Sequence, residues 1–191
     1  MMISLKLFLV ISALICSGCG SGHKDHSGHE QSGSKTETTQ AQSPLRTAMA
    51  MIGSTHVHME YSAPSVRGRA IWGELVPYHK IWVTGAHMAT SLQFNSDLKI
   101  AGNVIPAGKY AFFTIPGEKE WTIIINKNWN QHQADDYNMA DDAVRFMVTP
   151  EFLNEPVEEL KFEVIQAGDK NGKIVFQWEK LKFSIDIESA G

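Results

Sequence analysis

Cysteine is nearly absent from this chain: it has two, Cys16 and Cys19, both within the first nineteen residues. Cleavage ahead of Cys19 leaves a domain with no disulfide and no thiolate metal site, stabilised by an ordinary core. Basic blocks are missing too. Lysine and arginine total 17 against 21 acids, a net charge of −4, and nothing stronger than the Arg67/Arg69 pair concentrates positive charge. Nucleic acid is therefore not an expected partner. No apolar run approaches the roughly 20 residues of a membrane-spanning helix. No GxSxG, HExxH, P-loop or Rossmann pattern occurs. The acids Asp135, Asp136, Asp141 and Asp142 lack the spacing of a calcium loop.

What is present begins at the N-terminus. Lys6 precedes an apolar run, Leu7 to Ile15, and Ser17, Gly18 and Cys19 follow. Basic, then apolar, then small is the order of an export signal. Residues 1–18 read as a signal peptide with a lipobox-like end, and Cys19 as the lipid acceptor. Several acyl chains on one cysteine suffice for stable anchoring. Residues 19–43 read as a flexible His-rich tether, because Gly, Ser, Thr, Gln, Lys and His cannot bury enough surface to offset their ordering entropy. The expectation is an exported protein, anchored through lipid to the cell envelope on its outer-membrane or periplasmic side.

Pro44 opens the folded part, residues 44–191, where the signals are mostly β. Thr55–Tyr61 alternates. Lys80–Thr84, Ala89–Phe94, Lys109–Ile115, Trp121–Asn126, Phe146–Thr149, Glu159–Gln166, Lys173–Trp178 and Leu181–Ile187 are further runs, and Lys99–Ile105 holds an AGN turn. DKNGK marks another hairpin. Nine or so strands imply an all-β fold: one antiparallel β-sandwich or jelly-roll-like domain. Asn138–Ala143 and Pro150–Leu153 are expected to form single helical turns. Trp72, Trp82, Trp121 and Trp178 are expected in the core, and YSAPSVRGRAIWGELVPY as a loop laid across a sheet.

Eight histidines supply the chemistry. His23, His26 and His29 in the tether form an HxxHxxH pattern that suits copper, zinc or nickel, or else a polar spacer. In the domain, His56 and His58 lie two apart on a predicted strand, so both project to one side with Glu60, opposite Val57, Met59 and Tyr61. Two such imidazoles are a common start for a metal site. His87, in TGAHMAT, is the expected third ligand, and His132, in WNQHQADDY, the fourth. Glu60, Met88, Asp135 and Asp136 are alternative or supporting ligands. The leading expectation is a Cu or Zn binder whose affinity falls as pH drops through about 6 to 7. A metal-dependent hydrolase on the same residues is an alternative. Another is a carbohydrate or envelope-polymer module using Trp129.

The segments YSAPSVRGRAIWGELVPY, IWVTGAHMAT, IPAGKYAFFTIPGEKEWTIIINKNWNQHQADDY and EPVEELKFEV together resemble the bacterial exported lipoproteins grouped as domain of unknown function 2911. The resemblance spans roughly residues 44–187. It implies a Bacteroidota-type envelope protein, in agreement with Cys19, and assigns no activity. In that family the loop written here as TGAHMAT varies at positions 87 and 88, which implies a binding site whose ligand preference differs between branches.

Overall fold

The computed structural model describes residues 43–191. The expected signal peptide, residues 1–18, the expected lipid acceptor Cys19 and the histidines His23, His26 and His29 of the expected tether lie outside the described residues. Ten strands follow one another: β1 (Leu45–Ile52), β2 (Thr55–Ser62), β3 (Ser91–Phe94), β4 (Leu98–Ile100), β5 (Asn103–Ile105), β6 (Gly108–Ile115), β7 (Trp121–Asn126), β8 (Asp142–Val148), β9 (Glu151–Gln166) and β10 (Asn171–Ser189). They form two antiparallel sheets, a six-stranded one in the order β1-β2-β3-β6-β7-β8 and a four-stranded one in the order β5-β4-β10-β9. The expected all-β sandwich is the observed architecture.

The alternation of β2 positions its side chains. Thr55, Val57, Met59 and Tyr61 are buried, while His56, His58, Glu60 and Ser62 face outward. Strands β6 and β7 carry nearly continuous apolar runs because both of their faces are covered. Inward, Phe112, Trp121, Ile123 and Ile125 join Phe162, Phe176 and Trp178 in the main core. Outward, Ala111, Phe113 and Ile124 pack beneath Val83, Ala89, Ala134 and Tyr137. The four tryptophans expected inside do meet: Trp72 lies 4.8 Å from Trp121, 5.6 Å from Trp178 and 6.0 Å from Trp82, edge to face. Each such pair adds stability beyond its buried area.

Residues 63–90 connect β2 to β3 without forming a strand of either sheet. So long a connection in a compact domain usually carries function. It is anchored rather than draped, since Ile71 and Val76 are buried in the main core. The expected strand at Lys80–Thr84 shrinks to one residue, Trp82, which exchanges backbone hydrogen bonds of 2.8 and 3.0 Å with Thr114.

Three further differences have physical causes, and one expected turn is present. Strand β1 was not expected, because its Ala, Met and Thr residues form a weak β signal. Leu181–Ile187 is not a separate strand. It continues β10 past a register shift at Glu179, whose φ is +54°, as a bulge permits. Pro150–Leu153 is not helical: β9 begins at Glu151, held by pairing of Glu151 and Phe152 with Lys182 and Leu181. The other expected turn is a 3-10 helix at Met139–Asp141, capped by the Asn138 side chain, which accepts from Ala140 N at 3.0 Å.

Candidate functional site

The positions of the domain histidines follow from strand direction. Outward alternation puts His56 and His58 side by side, with near-parallel rings 6.2 Å apart. The TGAHMAT loop, however, docks at the far end of β2, where Ala86 N donates to Ser62 O at 3.1 Å. At ~3.3 Å per residue, His58 lies about 13 Å and His56 about 20 Å back along the strand from that point. Accordingly, no three His, Cys, Asp or Glu side chains among the described residues form a metal-binding group.

The loops bearing His87 and His132 do come together, through their backbones. Met88 and His132 form an antiparallel bridge, flanked by Ala89 N to Gln131 O (3.0 Å) and Gln133 N to His87 O (2.7 Å). His87 and Gln133 line one cleft, and His132 stands opposite Met88. His132 Nδ1 lies 3.5 Å from Asp135 Oδ2 on the exposed side. The Asp136 carbonyl accepts from Asn128 Nδ2 at 3.4 Å. Glu60 stands on the outer face of β2, opposite Thr47. Trp129 is 40% exposed, and the Lys109 ammonium lies 4.1 Å from the centre of its ring, so that indole face is already occupied.

His87 and Gln133 open instead onto a cleft of about 390 Å³. Its walls include Ser65, Arg67 and Arg69 from the 63–90 connection, Trp82 and Gly85 from the same connection, and Trp178 from β10. Leu75 and Val76 complete an apolar side.

Local chemistry holds the charged side of the cleft. The Glu158 side chain accepts from Arg67 N at 2.8 Å, and its backbone carbonyl accepts from Val66 N at 2.8 Å. The Arg69 guanidinium donates to Val66 O at 3.1 Å and Ser65 O at 2.5 Å. It therefore caps its own turn, and among the described residues no carboxylate forms an ion pair with it. Gly85 suits a close approach: a Cβ there would lie 3.0 Å from both Ser62 O and Thr90 Oγ1.

Backbone strain gathers at the same place. Seven non-glycine residues among those described have positive φ, and three of them, Arg67 (+50°), His87 (+62°) and Gln133 (+53°), line the cleft. A fourth, Thr84 (+51°), immediately precedes Gly85. The αL region is disfavoured for residues with a Cβ, and such residues cluster at functional sites. Sequence reasoning singled out His87 but not Arg69, Gln133 or the cleft itself. The available signal was the Pro- and Gly-rich run that carries both arginines.

No curated protein and no solved structure matches the chain. The family described as protein of unknown function (DUF2911) matches residues 43–187, and the chain belongs to it.

Proposed function

We propose that this is an exported, lipid-anchored binding protein of the cell envelope, and that its ligand site is the cleft walled by Arg67, Arg69, His87 and Gln133. The observation that carries this reading is the convergence of three left-handed, non-glycine residues on that one cleft. The ligand class follows from the lining. Arg69 is a fixed positive fork without a carboxylate partner among the described residues, suited to a carboxylate or phosphate. Trp82, Leu75 and Val76 offer an apolar wall beside it. A small organic anion with an apolar body satisfies both, as is usual for sites with a few polar groups in an apolar pocket. Export and anchoring rest on the Lys6-to-Cys19 pattern. The Bacteroidota-type origin rests on the family resemblance.

The test is tryptophan fluorescence of the protein titrated with a panel of aromatic and aliphatic carboxylates and phosphate monoesters. Trp82 and Trp178 line the site and should report binding. Saturable change with at least one anion, abolished by Arg69→Gln and retained in Lys109→Gln, is expected. A panel without response, or a response indifferent to Arg69→Gln, sinks the proposal. The metal-hydrolase reading finds no support in the placement of His87 and His132 relative to His56 and His58. The polymer-binding reading requires a ligand that displaces Lys109 from Trp129.

A further inference from the structure

The outer face of β1 and β2 carries a different group of side chains, independent of the cleft. The register of the two strands pairs Met49 with His58 and Met51 with His56. Directly paired residues share a face, so two thioethers and two imidazoles stand in one patch. This is the solvent face: Met49 is 55% and Met51 47% exposed, and His56 is exposed beside them. Large apolar side chains in such positions contribute little to the core. Their inward-facing neighbours Ala48, Ala50 and Ile52 supply the packing of β1.

We infer that Met49, Met51, His56 and His58 form a binding site for a single cuprous ion. Paired Cβ atoms are about 5 Å apart across the strands, and alternate residues about 7 Å apart along one strand. An ion held over the centre of that rectangle lies some 5 Å from each Cβ, within reach of a methionine sulfur or an imidazole nitrogen once metal–ligand distances are added. The imidazole rings are already neighbours at 6.2 Å, inclined by 15°, and must tilt toward each other to share the ion. The methionines have three rotatable side-chain bonds each and adapt readily. Two neutral thioethers with two neutral imidazoles make a soft donor set. It favours Cu(I) over harder divalent ions, since carboxylate and water suit magnesium, calcium and manganese. Glu60 and Thr47 occupy the next row and are not needed as ligands. No three His, Cys, Asp or Glu side chains converge among the described residues; here two methionines complete the donor set begun by two imidazoles.

The experiment is competition for Cu(I) against a chromophoric chelator, with ascorbate present. It uses the full chain carrying His23→Ala, His26→Ala and His29→Ala so that the tether cannot contribute. One Cu(I) per chain is expected. Met49→Leu/Met51→Leu removes two of the four soft donors and should weaken Cu(I) binding by about tenfold or more, while changing Cu(II) binding little, because imidazole alone also suits Cu(II). His56→Ala/His58→Ala should abolish both. Arg69→Gln should change neither, which separates this site from the cleft. Unchanged melting temperatures of the methionine variant exclude a folding cause. Cu(I) affinity equal to the parent in the methionine variant overturns the site, as does the absence of a sulfur shell in the copper X-ray absorption of the parent.

Discussion

The six-stranded sheet is finished differently at its two ends. Over β6 and β7 the outer face is covered: Phe113 is fully buried under Tyr137, 5.6 Å away and edge-on. Over β1 and β2 the same face is open and carries Met49, Met51, His56 and His58. The cover is itself tied down. Tyr137 donates to Asp142 Oδ2 at 2.9 Å and accepts from Arg145, which also bonds Asp142. The comparison teaches that long loops here spend apolar residues on one half of a sheet face. The cleft forms where that cover meets the 63–90 connection, and the other half is left free for surface chemistry.

Substitutions can break or sharpen this contrast. The largest loss is expected within the shared inner core. Trp178→Ala removes a fully buried indole from the tryptophan cluster and should cost about 3–5 kcal/mol in chemical denaturation. Phe113→Ala, in the smaller outer cluster, should cost about 3 kcal/mol. It should also speed hydrogen exchange selectively in residues 127–137. A loss spread evenly over the domain would mean the cover is no separate layer.

Asn126→Ala is next. The Asn126 side chain donates to Asn138 O (3.0 Å) and Asp142 Oδ1 (2.7 Å) and accepts from Asn128 N (2.8 Å), pinning the cover loop to β7. About 1–3 kcal/mol should be lost, because deleting one partner strands buried polar groups. A gentler lever is pH. Burial raises the phenol pKa of Tyr61 in the inner core and of Tyr137 in the cover. A raised folded-state pKa contributes stability that is complete below the ordinary value of about 10 and is lost as pH rises through the folded value. Thermal stability should therefore decline above about pH 10, with less decline in Tyr137→Phe. At the open end, Met49→Leu/Met51→Leu should change stability by no more than about 0.5 kcal/mol. A larger loss would show that this face packs against something.

Much of the fold was legible because burial on one or both faces leaves different patterns. β2 alternates, β6 and β7 are continuous, and the AGN and DKNGK turns fall at real hairpins. Ala101 and Gly102 both have positive φ, at +47° and +84°, as a two-residue hairpin turn demands. β1 has no local signature, because its pairing with β2, rather than any propensity of its own, makes it a strand. The site was less legible. Spacing correctly put His56 and His58 on one face, but it did not show that TGAHMAT docks at Ser62, away from them.

By itself the sequence determined the all-β class, the inward and outward faces of β2, the aromatic core and the adjacency of His56 to His58. All of these follow from periodicity and side-chain character, which act over a few residues. Only the tertiary structure decided which distant groups meet. It drew His87 toward Arg69 and Gln133 instead of His56, and set Met49 and Met51 across from the two histidines. Register and loop docking arise from backbone hydrogen bonds between segments far apart in the chain, and no local pattern encodes their partners.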